Sequence, residues 1–187
     1  ASRFIEILIG SVVEKMDNNF VQTLKTLIGD AGMGCAFESI GHKKLTHSQS
    51  EYPLIILDEA NQKKTVDSSM KCNYPVHLFR TIADIGLLEN EEYGLPVTCN
   101  FPLVDAVIQP DTLINFTTAN THKGAVDKLL DIRNQLREKD FKKHKFVIVT
   151  KHENLKSFKY MSQLRDINQY ICADDPTSSS SKKRKMK

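Results

Sequence analysis

The chain has few cysteines, no long apolar run and no repeated block, and each shortage narrows the reading. Cys35, Cys72, Cys99 and Cys172 are its only cysteines in 187 residues, and none forms a Cys-x-x-Cys pair. That spacing argues against a zinc site and for four reduced thiols in a reducing compartment. No apolar stretch approaches the roughly 18 residues that a membrane span needs. No basic-then-apolar pattern follows Ala1, so no secretion signal is expected in this stretch, although a longer parent chain could carry one upstream. No internal repeat is visible.

What is present suits one globular domain with tails: 40% of residues are hydrophobic and 26% charged. Charge is unevenly placed. The formal net charge is +3, yet residues 133–165 hold ten Lys or Arg against three acids, and the last six residues hold five more cations. The part before residue 133 is acidic. A basic last third is the electrostatic footprint of a polyanion partner, and it is equally the composition of a solvated basic face. Residues 173–187 read as a tail. A Ser-rich linker precedes Lys182, Lys183, Arg184 and Lys185, which together resemble a nuclear-localisation signal for an import receptor. Such a segment has no apolar surface to bury and is expected to be disordered.

Periodicity divides the rest. Phe4, Leu8, Val12, Met16, Phe20, Leu24 and Leu27 form one stripe, predicting an N-terminal helix over 4–28 within a first segment, 1–30. A glycine-rich break at 29–34 precedes a second helix over 35–45. Strands are expected over 52–57, 145–150 and 167–172, and helices over 77–88, 123–139 and 154–164. Val126, Leu129, Leu130, Ile132 and Leu136 should face inward. Helices alternating with strands predict an α/β layer around a central mixed sheet in a domain covering 31–172.

The stretch from Asn100 to Lys123 is the richest in chemistry. It predicts a hairpin with strands over 101–108 and 112–118, turned by Gln109-Pro110-Asp111. The first strand carries a lone carboxylate, Asp105, which a buried strand tolerates only when it is paired or binds a metal. Asn115 and Thr117 lie on one face of the second strand, because alternate residues point the same way. Upstream, Gly29 to Gly34 has the spacing of a phosphate loop. The positions that should hold Lys and Ser or Thr are Cys35 and Ala36, which leaves at most a degenerate nucleotide site. The alternative is a helix start whose Glu38 and His42 share a face, either as a simple pair or with Glu38 delivered into a cleft.

Taken in order, several short motifs resemble one family. They are Gly34-x-x-Phe37-Glu38-x-x-x-His42, Asn100-Phe101-Pro102-x-x-Asp105, Leu113-Ile114-Asn115-Phe116-Thr117, Thr121-His122, Phe146-Val147-Ile148-Val149 and Gln169-Tyr170. The series is similar to the C-terminal domain of Crinkler effectors and retrotransposon-hot-spot proteins. The resemblance implies a restriction-endonuclease-like core of the PD-(D/E)xK type, acting on nucleic acid, with DNA the expected substrate, by magnesium-dependent phosphodiester hydrolysis. It also implies an effector that is secreted by a pathogen or symbiont and reaches the host nucleus.

Carried over residue by residue, Glu38 and Asp105 would hold Mg2+, and Asn115 and Thr117 would complete the catalytic set. Asn115 departs from the pattern, since magnesium prefers anionic oxygen. Thr117 lacks the charge of the usual Lys, for which Lys123 or His122 is a substitute. Lys142, Lys143, Lys145 and Lys151 would grip the nucleic-acid backbone, within a basic segment running from Arg133 to Arg165. The competing expectation is a fold whose site has decayed, serving as a DNA- or protein-binding module in the nucleus. A homodimer is compatible with either.

Overall fold

A computed structural model describes residues 18–60, 65–98, 101, 104–119 and 128–174. Expectations for residues 4–17, for Asn100, Pro102, Thr121, His122, Lys123 and Val126, and for the basic tail at Lys182, Lys183, Arg184 and Lys185 lie outside them. The first described element is a helix, α1, over Asn18–His47. It is broken at Gly29, whose φ of 69° and ψ of −179° are not helical. This is where the glycine run predicts an interruption. A backbone in that left-handed region suits glycine because no Cβ meets the carbonyl. The second part starts directly after Gly29, several residues before the expected start at Cys35.

Among the described residues, eight strands form one sheet. They are β1 (Tyr52–Leu57), β2 (Val66–Met70), β3 (Val76–Phe79), β4 (Tyr93–Pro96), β5 (Ala106–Ile108), β6 (Thr112–Thr117), β7 (Lys145–Thr150) and β8 (Asn168–Ala173), in the order β2-β1-β8-β7-β6-β5-β4-β3. The sheet is mixed. Strands β4, β5 and β6 pair antiparallel as a meander, whereas β6, β7 and β8 run parallel. A short helix, α2 (Leu129–Asn134), lies in the connection that returns the chain from β6 to β7.

Two cores cover the two faces, as a strand with both faces buried requires. On the α1 side, Leu45 packs with Tyr93, Ile114, Phe116 and Val147. On the α2 side, Ile132 and Leu136 pack with Leu113, Phe146 and Ile148. Gly41 fixes the approach of α1, because a Cβ there would overlap the Phe116 ring.

The strands at 52–57 and 145–150 have the expected bounds. Three expected helices are corrected. Residues 77–88 form β3 and a 3-10 turn (Ala83–Leu87), because the Asp84 carboxylate accepts from the Arg80 and Thr81 N–H groups and bends the chain between them. The helix expected over 123–139 is helical over Leu129–Asn134 among the described residues. Its end is closed when Lys139 Nζ donates to the Leu136 carbonyl at 2.8 Å. Residues 154–164 form 3-10 turns, His152–Asn154 and Ser162–Leu164, rather than a helix. The buried Gln169 side chain accepts from Met161 N–H and donates to the Met161 and Leu164 carbonyls, so those backbone groups are satisfied without helical bonds. Strands β2 and β4 have no counterpart in the periodicity reading.

Candidate functional site

The hairpin brings Asp105 and Asn115 into direct contact. Asp105 stands just before β5, where Ala106 pairs with Ile114, so Asp105 falls opposite Asn115. The Asp105 N–H donates to the Ile114 carbonyl at 2.8 Å. Its Oδ2 accepts from the Phe116 N–H at 2.7 Å and from Asn115 Nδ2 at 3.1 Å. The carboxylate thus substitutes for a strand carbonyl at the end of the β5–β6 ladder. Thr117 is engaged too: its Oγ1 accepts from the Ala119 N–H at 3.1 Å, and its carbonyl accepts from Thr150 Oγ1 at 2.7 Å.

Glu38 enters a second cluster, on α1. Its Oε1 lies 3.1 Å from His42 Nε2, and His42 Nδ1 lies 2.6 Å from the Tyr93 hydroxyl. An ionised carboxylate only accepts, so in the neutral ring Nε2 carries the proton and Nδ1 accepts from Tyr93. Tyr93 is fully buried, and the His42 ring packs edge-on against Phe116 with centroids 4.7 Å apart. Tyr93 is the partner that sequence reading missed; only the aromatic character of an otherwise short strand hinted at it.

The two clusters meet at Phe116, its ring serving one and its N–H the other. Among the described residues, no group of three His, Cys, Asp or Glu side chains could hold a metal ion. Magnesium needs near-octahedral hard oxygen, with carboxylates aimed at it. Here the Asp105 carboxylate is turned onto a backbone N–H and a side-chain amide, and Glu38 onto an imidazole. As arranged, both carboxylates would have to turn toward a common point to hold magnesium.

The basic residues split between the two ends of the parallel strands. Lys145 opens β7, opposite Thr112, while Asn115 and Thr117 stand beside Ile148 and Thr150 at the other end. Lys151 follows the last residue of β7, about 20 Å from Lys145 at strand rise. Lys142 and Lys143 sit in the 3-10 turn (Phe141–Lys143) before β7, so three of the four expected gripping lysines lie at the end away from Asp105. Lys145 pairs with Asp111 at 3.1 Å and Lys143 with Glu138 at 3.5 Å, while Lys142 is exposed.

A third cluster lies at that basic end. Arg133 on α2 is buried. Its Nε donates to His144 Nδ1 at 3.2 Å, and one terminal nitrogen donates to the carbonyls of Phe141 and Asp166 at 2.9 and 3.0 Å. His144 Nε2 in turn donates to the Glu138 carbonyl at 2.8 Å, which leaves Nδ1 free of a proton to accept from Arg133. Burial lowers the pKa of both groups from their ordinary values. Arg133 remains charged at any physiological pH, whereas His144 is held neutral.

Cys35, Cys72 and Cys172 form no disulfide among the described residues, and burial pushes Cys72 up to about 11, away from the reactive thiolate. No protein-family profile matches the chain, and no curated protein or solved structure matches it either.

Proposed function

We propose that the chain is a nucleic-acid-binding module built on a nuclease-like core, one that holds the phosphate backbone without metal-dependent cleavage. The order of elements supports the core: a helix on one face, the β4–β5–β6 meander, a crossover helix on the other face, then parallel β7. That is the arrangement implied by the resemblance to the PD-(D/E)xK type. Strands β1, β2 and β3 are inserted between the first helix and the meander.

The observation that carries the binding reading is the segregation of charge. Asp105, the carboxylate which the hairpin should aim at a metal, is hydrogen-bonded within the hairpin. Lys142, Lys143, Arg133 and Arg165 gather at the other end of the strands, where β7 and β8 begin. Acids are present there too, with Lys143 paired to Glu138, but Lys142 and Arg165 are exposed cations flanking one cleft, which favours contact with a phosphate backbone. The Lys182, Lys183, Arg184 and Lys185 cluster adds an address, delivering the module to a nucleus through an import receptor. Deleting it from a reporter fusion should abolish nuclear accumulation.

The test is fluorescence anisotropy with a short DNA duplex, in magnesium and in EDTA. Binding should be equal in both, and log K should fall with log salt at a slope of about −2 to −3, the value for two or three phosphate contacts. Lys142→Glu combined with Arg165→Glu should abolish it. A protein that binds no nucleic acid in either buffer contradicts this reading and leaves a nuclear protein as the partner.

A further inference from the structure

Arg133 is 6% exposed, yet no carboxylate among the described residues lies within ion-pairing distance of it. Its hydrogen bonds go to two carbonyls and a neutral imidazole. The Phe141 ring lies 4.7 Å from its central carbon. These groups orient the guanidinium without a direct ion pair; the opposite charge that acts on it is the exposed Asp166 carboxylate at the cleft rim, and a buried charge not paired in contact is costly. Nη1 makes no hydrogen bond among the described residues. Arg133 also lines a cleft of about 220 Å³ between α2 and the turn before β8, the liquid volume of about seven waters. Leu129, Leu130, Leu164 and Ile167 form its apolar walls, and Gln163 and Asp166 its polar rim. Leu130, expected to face inward, is 56% exposed at this mouth.

We propose that this cleft is an oxyanion site that takes a phosphate group on the Arg133 guanidinium. The planar fork still has donors to offer, its low-dielectric walls strengthen the attraction, and Gln163 can add a further donor from the rim. A second cleft, lined by Lys142 and Arg165, shares Asp166 and Ile167 with the first. A phosphate held at Arg133 therefore has cations beside it for its neighbours along a strand. The site deepens the nucleic-acid reading and rests on it only for the source of the phosphate. The exposed Asp166 carboxylate works against the site, which makes it a useful handle.

The experiment follows the Arg133 Nε–H signal by NMR in the full chain. The titrants are inorganic phosphate, chloride at matched ionic strength, and a short oligonucleotide with and without a 5′-phosphate. Phosphate should shift the signal to saturation and chloride should not. Asp166→Asn should tighten phosphate by about two- to fivefold, the range for removing one exposed like charge. Gln163→Glu puts a carboxylate across the cleft, and it should abolish the phosphate response while thermal stability is kept or raised. The proposal is overturned if Arg133 responds no more to phosphate than to chloride, if Gln163→Glu leaves the response intact, or if Asp166→Asn weakens it. Phosphate binding without oligonucleotide binding keeps the site and sinks the nucleic-acid reading. Oligonucleotide binding without an Arg133 response does the reverse.

Discussion

The two ends of the parallel strands solve opposite electrostatic problems. At the carboxyl end, Asp105 brings a negative charge into the sheet and meets it with N–H donors from its own hairpin, at 2.7 and 3.1 Å. At the amino end, Arg133 brings a positive charge into a more deeply buried place and meets it with carbonyl oxygens and an aromatic face. A carboxylate satisfied by backbone and amide donors behaves as a structural tie. A guanidinium satisfied by dipoles keeps its monopole, and its field extends into the adjoining cleft. The family resemblance of the sequence motifs would put the chemistry at Asp105. The local closure of charge moves the interest to Arg133.

Breaking the tie at the carboxyl end should have the largest effect. Asp105→Ala strands the Phe116 N–H and the Asn115 amide and should cost about 2–3 kcal/mol, read from the urea midpoint, with DNA binding unchanged. A catalytic metal ligand would show the converse, near-native stability and lost cleavage. Gly41→Ala should follow, at about 1–3 kcal/mol, because its methyl meets the Phe116 ring against which His42 packs. Tyr93→Phe leaves His42 Nδ1 without its hydroxyl and should cost about 1–2 kcal/mol.

A pH titration separates the ends further. Burial depresses the pKa of His144 below the usual imidazole value of 6.5. The unfolded chain therefore takes up this proton first. Stability from the neutral ring is present above pH 6.5 and is lost as pH falls through and below that value. Thermal melts from pH 8 to 5 should show the decline, and His144→Phe should remove this contribution from the profile. The smallest effect belongs to Lys142→Glu, which should leave stability within about 0.5 kcal/mol because the side chain is exposed.

Much of the architecture was legible in the sequence. The α/β class and the mixed sheet followed from alternating periods. The β1 and β7 strands kept their bounds because Tyr-Pro-Leu-Ile-Ile-Leu and Lys-Phe-Val-Ile-Val-Thr are nearly continuous apolar runs. Strand β2 was invisible because Val-Asp-Ser-Ser-Met is exposed except at Met70. Strand β4 was hidden because Tyr-Gly-Leu-Pro carries two residues that weaken strand patterns, though all four are buried. The Asp105–Asn115 contact was also readable, since a hairpin around 109–111 puts them opposite. What could not be read is where the hydrogen bonds of Asp105 go, because its donors come from the backbone. Arg133 showed only as one count in a basic segment; its burial and its cleft arise from turns before β7 and β8 that have no sequence period.

The most direct test of the account compares the unmutated chain with Asp105→Ala in one assay. Supercoiled plasmid is incubated with magnesium or EDTA, with binding followed in parallel by anisotropy. The account predicts metal-independent binding by both proteins and no nicking by either. Magnesium-dependent nicking by the unmutated chain that disappears in Asp105→Ala would contradict it and return the hairpin carboxylate to a catalytic role.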